Sequence, residues 1–205
     1  MNNNFLAVDT SSRYLTVLAK NGENTVIRHL PECAMKHSVI LMAEIDKTLE
    51  EAGLTLQNCG YLAVVTGPGS FTGIRIGVSA IKGLALAAGK PIKPVTAFEL
   101  IAYNINSGNF RVVIDAAHSH YYVCGYHNGE ISFEPRYVSQ EEIISHGGEL
   151  YGFEDLPFAN YKKLAPQNCL LKACERANIS DSVHALYVRK SQAEENFDAN
   201  KRVGL

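Results

Sequence analysis

The sequence predicts an α/β fold built twice, a duplicated two-lobe protein with an abbreviated second lobe. Three observations predict it. Strand-like β-branched runs alternate with apolar helical runs through residues 5–103, the pattern of a sheet extended in parallel through helical crossovers. A strand ending in aspartate, then a second strand and an Asn-Gly-Glu turn, occurs from Phe5 to Glu23 and again from Arg111 to Glu130, with Asp9 aligned on Asp115. A Gly67-Pro68-Gly69 turn joins a β-branched run directly to a long apolar helix.

The elements follow in order. Residues 5–9 and 14–19 are strands, and Asn21-Gly22 turns the chain into a third strand over 25–27. A helix covers 37–51, opened by His37-Ser38. The strand 61–66 runs into the glycine turn, and Ser70 caps a helix over 71–88. A strand over 91–95 and a short helix over 97–103 complete a first lobe, 1–104, and the turn-rich stretch 104–109 is the boundary. The second lobe, 110–205, opens with strands over 111–115, 121–126 and 131–138. Ser139-x-x-Glu142 is a capping box that starts a short helix, ended by Gly147-Gly148, and 167–177 is one more helix. The polar stretch 191–205 is expected to fray. This half is short for a complete lobe.

Composition narrows the function. A net charge of −2 gives no bulk attraction to nucleic acid or membrane. Five cysteines without a Cys-x-x-Cys argue against zinc ribbons and thioredoxin chemistry, and reduced buried thiols fit the cytosol. The start of the chain has no secretory pattern, and the apolar 72–88 segment carries Arg75 and Lys82 and is shorter than the ~20 residues of a bilayer span. A cytoplasmic protein with no membrane contact is expected.

A strand–glycine turn–helix unit can hold an anion at the helix start. The phosphate-cradling version needs Gly-Lys-Ser/Thr, whereas this loop ends Phe71-Thr72-Gly73. Gly67 to Gly73 also misses the Gly-x-Ser-x-Gly spacing of a nucleophile elbow, so Ser70 is a cap rather than a nucleophile. Duplicated meanders with following helices suggest the actin–hexokinase–heat-shock-protein (ASKHA) architecture, in which nucleotide lies between lobes. The candidate anion or nucleotide cleft is then Asp9, Thr10, Ser11 and Asp115. Neither Asp9-Thr-Ser-Ser-Arg13 nor Asp115-Ala-Ala-His-Ser119 contains the glycine that lets backbone approach phosphate. His118 and His120 lack a third ligand, Glu44, Asp46, Glu50 and Glu51 read as a solvated helix face, and His37 reads as a surface or capping residue. Tyr121, Tyr122 and Tyr126 read as half-buried sheet residues.

Gly67-Pro-Gly-Ser-Phe-Thr-Gly-Ile-Arg-Ile-Gly77, Asp9-Thr-Ser11, His37-Ser38 and the duplication together resemble the TsaB (YeaZ-type) family of tRNA threonylcarbamoyladenosine biosynthesis proteins. The resemblance spans residues 1–126, and Ala185-Leu-Tyr-Val-Arg189 is similar to the family's C-terminal motif. It implies a non-catalytic scaffold that organises a TsaD-like catalytic subunit, with a TsaE-like ATPase in the same complex, tRNA reached only through that complex, and a homodimer when alone. No catalytic residue, cofactor or metal is implied for this chain. Where TsaD-type sequences place a His-x-x-x-His metal motif, this chain has Ala97 and Ile101, which cannot bind metal. Family members often carry an arginine after Asp-Ala, where this chain has Ala117. The alternative is an active ATP-dependent phosphotransferase or ATPase of the ASKHA class.

The residues themselves suggest a partner. The 72–88 helix has one stripe of Ile74, Val78 and Ile81 and a second of Gly73, Gly77, Ala80 and Leu84, and Gly73, Gly77 and Gly83 each cost about 1 kcal/mol relative to alanine. The preceding helix offers Leu41 and Ile45 on one line and Ile40 beside it. A helix apolar on most sides needs cover on more than one. These ten residues are the expected partner-binding surface, and intramolecular burial is the competing reading.

Overall fold

The computed structural model describes residues 2–33, 35–106 and 108–189. The expected frayed tail at 191–205 lies outside the described residues.

Two hairpin turns set the meanders. β1 (Phe5–Asp9), β2 (Leu15–Asn21) and β3 (Asn24–Leu30) are antiparallel, with Gly22 left-handed in the β2–β3 turn. The second copy, β6 (Asn109–Asp115), β7 (His120–His127) and β8 (Glu130–Ser139), turns on Asn128-Gly129, both at positive φ, the conformation a two-residue hairpin requires. Between them come α1 (His37–Ala52), β4 (Tyr61–Val65), α2 (Phe71–Ala88), β5 (Ile92–Val95) and α3 (Ala97–Ala102). After β8 come α4 (Gln140–Ser145), β9 (Glu149–Gly152), β10 (Tyr161–Lys163) and α5 (Pro166–Arg176).

The first sheet runs β3-β2-β1-β4-β5 and the second β8-β7-β6-β9-β10, with β4, β5, β9 and β10 parallel to the strands they join. The duplication is therefore strand for strand. The expected shortening does not touch the sheet: β9 and β10, which sequence reading missed, complete it. A helix is what differs, because residues 153–160 connect β9 to β10 where α2 connects β4 to β5.

The layers explain the burial. Phe5, Ala7 and Leu18 of the first sheet and Phe110, Val112 and Cys124 of the second face each other across α3 and α5. Leu6, Val8 and Val17 face the other way, onto α1 and α2. A sheet covered on both faces has continuously apolar strands, as in the fully buried β1 and β4. On the far side of the second sheet, Val113, Tyr121 and Leu150 pack under α4 and the 156–161 segment.

Local chemistry bounds α2 and α3. Ser70 Oγ accepts from Gly73 N, and left-handed Gly89 stops α2. Thr96 and Glu99 form a reciprocal capping box on α3. By length and composition α2 could cross a membrane, but Ile74, Val78, Ile81 and Ala85 lie in the core, as in a helix that covers a sheet. All five cysteines are free and buried, and burial pushes the thiols of Cys59, Cys124 and Cys169 up to about 11.

Candidate functional site

The glycine motif and the β1–β2 turn are built against each other. Asp9, 1 % exposed, accepts from Ser11 N at 2.8 Å and Ser11 Oγ at 2.6 Å, which folds the turn back on itself. Thr10 Oγ1 donates to Gly73 O at 2.7 Å, and Ser70 N donates to Ser11 O at 2.6 Å. A Cβ at Gly69, Gly73 or Gly77 would stand 2.1, 2.1 and 2.3 Å from Ser11 O, Thr10 O and Thr10 Oγ1. Gly69 in the turn before α2, with Gly73 and Gly77 on the helix, thus forms a slot for the end of β1. This corrects the reading of Gly73 and Gly77 as partner-binding residues: the close approach they permit is to this chain's own backbone.

A cavity of about 360 Å³ opens beside that junction, between the sheets. Ser11 to Tyr14 form one wall, Pro68 to Ser70 a second, and Ile114, Asp115, Phe153 and Glu154 the side belonging to the second sheet. Of the four residues expected to hold an anion, Ser11 and Asp115 line it. Asp9 and Thr10 do not, because their side chains are committed to Ser11 and Gly73. Asp115 ends β6 and accepts from Ala117 N at 2.9 Å. The turn it opens holds Ala117, His118 and Ser119 at φ of 64°, 53° and 58°.

The electrostatics of the cavity are acidic. Burial raises the Asp9 carboxyl above its usual range against the hydrogen bonds from Ser11. Burial also raises Glu154, and nearby Asp115 adds to it while Arg13 opposes. Tyr14 is pushed well up by burial and then by Asp9 and Glu154. Glu154 Oε2 is shut from solvent and has no hydrogen-bond partner among the described residues.

Two further expectations change here. His37 is 1 % exposed, with Nε2 3.0 Å from Tyr14 O, so it anchors α1 to the end of the β1–β2 turn rather than lying on the surface. Glu44 is buried too, held by Arg28 Nε at 2.7 Å and Lys47 at 2.9 Å, and does not belong to a solvated acidic face. His120 stacks on Tyr137 with ring centroids 4.8 Å apart. Ala97 and Ile101 are core residues of the central layer.

The outward side of α1 and α2 is a second candidate surface. Leu41, Ile45, Ile74, Val78 and Ile81, expected to meet a partner, are core residues on the first sheet. Ile40, Ala80 and Leu84 are half-buried at the margin of the outward side. The apolar and small residues that α1 and α2 present to solvent are Val39, Met42, Ala43, Gly83, Leu86 and Ala87, with Val39 79 % and Leu86 86 % exposed, and they stand among exposed polar residues that include Asp46, Lys47, Arg75, Ser79 and Lys82. Periodicity finds the apolar stripes of such a helix; it does not say which one lies on the sheet.

The motif Ala185 to Arg189 closes over both sheets. Leu186 N donates to Thr66 O at 2.8 Å, and Tyr187 lies 5.0 Å from Phe71 and takes a 3.0 Å bond from Arg75 Nε. Arg189 Nη1 donates to Tyr137 Oη at 2.7 Å.

The family model described as TsaD, tRNA N6-adenosine threonylcarbamoyltransferase, matches residues 26–176. The chain is 36 % identical over 157 residues to tRNA threonylcarbamoyladenosine biosynthesis protein TsaB of Haemophilus influenzae, covering 74 % of this chain and 60 % of that protein. The protein of the same name from Escherichia coli is 33 % identical over 129 residues, covering 61 % of this chain and 55 % of the relative. The chain thus spans little more than half the length of these curated relatives. A tRNA N6-adenosine threonylcarbamoyltransferase of Staphylococcus aureus is 31 % identical over 151 residues, covering 58 % of this chain and 44 % of its own length. Among solved structures, YeaZ from Pseudomonas aeruginosa superposes with a TM-score of 0.74 at 20 % identity, covering 90 % of this chain and 99 % of that one, which shows the same fold. With a family model over most of its length and curated relatives above 30 % identity, the chain belongs to the TsaB (YeaZ-type) family.

Proposed function

We propose that this chain acts in tRNA threonylcarbamoyladenosine biosynthesis as a cytoplasmic, non-catalytic scaffold that binds a TsaD-like catalytic subunit through the outward side of α1 and α2. The observation that carries the reading is that side: Val39, Met42 and Leu86 stand exposed beside small residues at Ala43, Gly83 and Ala87, where another helix pair can approach closely. The names of the relatives support the pathway. The cavity supports the absence of nucleotide chemistry, since its nearest turns spend their amides internally: Ser11 N on Asp9, Gly73 N on Ser70, Ala117 N on Asp115. In the absence of the TsaD-like subunit the same side pairs two copies of this chain.

The test is co-purification with a TsaD-like subunit from the same cell. Val39→Asp with Met42→Glu is expected to abolish the complex while leaving the circular dichroism spectrum of the lone chain unchanged, because both side chains are outside the core. A complex that survives the double substitution refutes the surface. Micromolar ATP–Mg²⁺ binding by the lone chain refutes the non-catalytic role.

A further inference from the structure

The cavity between the sheets differs in charge from a phosphate site. Its walls carry two carboxylates, Asp115 and Glu154, against one guanidinium, Arg13. That guanidinium is also drawn outward: the Arg13 side chain is 60 % exposed and lies 3.5 Å from Glu32. A buried carboxylate oxygen without a donor leaves its charge unbalanced, and Glu154 Oε2, closed to solvent, is such an atom among the described residues, so a charge in the cavity acts on it through space. Asp115 stands near enough to raise the Glu154 carboxyl further, so the two negative charges on this side of the cavity repel each other.

The lining also selects the kind of cation. A divalent metal takes six or more oxygen ligands, and among the described residues no group of three or more His, Cys, Asp or Glu side chains is placed to hold a metal. An organic ammonium needs less: acceptors for its N–H groups and an apolar bed for its methylenes. Tyr14 and Phe153, edge to face at 6.3 Å, supply aromatic surface in the same cavity, and about 360 Å³ is the scale of a small-molecule site.

We propose that this cavity binds a small alkylammonium ion, its charge held between Glu154 and Asp115 and its methylene chain lying on Tyr14 and Phe153. The site is separate from the outward side of α1 and α2, which lies across the first sheet, so either assignment stands or falls without the other.

The experiment is calorimetry of the full chain with putrescine, using succinate as a control of equal carbon number and opposite charge. Putrescine is expected to bind and succinate to give no heat. Glu154→Gln and Asp115→Asn are each expected to weaken putrescine at least tenfold. Asp115→Asn is the safer variant for folding, because Asp115 is exposed and asparagine keeps an oxygen for Ala117 N. No putrescine heat at millimolar concentration overturns the inference. So does succinate binding as tightly as putrescine, or wild-type putrescine affinity in the Asp115→Asn chain.

Discussion

Changing glycine to alanine at three positions of α2 should move stability in opposite directions. Gly83 is exposed, and a Cβ there meets nothing within 4 Å. Gly83→Ala therefore collects the helix-propensity gain of about 1 kcal/mol with no packing cost inside the chain, read at a concentration where the chain is monomeric. In a chain of 205 residues that is a rise of about 2–4 °C in melting temperature. At Gly73 the new Cβ would stand 2.1 Å from Thr10 O, a backbone atom, so β1's end must move away from α2. Overpacking of this kind costs about 3 kcal/mol. Displacing Thr10 also strains its bond to Gly73 O, so Gly73→Ala should lose at least about 2 kcal/mol net of the propensity gain. Gly77→Ala falls between, since its Cβ meets Thr10 Oγ1 at 2.3 Å and a side chain can rotate where a backbone cannot. It should be coupled to Thr10, with Thr10→Ala recovering part of the loss in a double-mutant cycle. Thermal melts of the lone chain followed by circular dichroism read all three. The slot reasoning fails if Gly73→Ala melts at or above the wild-type temperature, or if all three variants shift in the same direction.

Two further outcomes are expected. His118→Gly should stabilise the chain by about 0.5–1 kcal/mol in a denaturant titration, because an exposed non-glycine residue held at φ 53° is relieved, less the entropy that glycine adds to the unfolded chain. Glu154→Gln should melt higher than wild type at pH 7. The folded carboxyl is raised by burial, so folding is disfavoured by its charged form and the penalty fades as pH falls through the raised value toward 4.5, the ordinary glutamate value. The two melting curves should converge there, and a gap that widens on acidification contradicts the burial argument.

By itself the sequence determined the elements up to α4, and α5, and their order. The period of the apolar residues, Ser70 before α2 and the two Asn-Gly turns are local signals, and α2 begins and ends where they put it. It also determined the duplication and, through the eleven-residue glycine motif, the family. β9 and β10 escaped because strands of four and three residues carry too little periodic signal, and only the pairing of β9 with β6 and of β10 with β9 makes them strands. Burial in the first half of the chain was likewise settled by tertiary structure. Ile74, Val78 and Ile81 went to the sheet and left Leu86 outside, although each stripe is apolar. Gly73 and Gly77 turned out to face Thr10, some sixty residues earlier, and His37 and Glu44 to be buried through bonds to Tyr14 and Arg28. The cavity is the extreme case: Arg13, Asp115 and Glu154 come from three distant segments. A side chain's environment depends on what the fold brings opposite it, and no local pattern of residues carries that information.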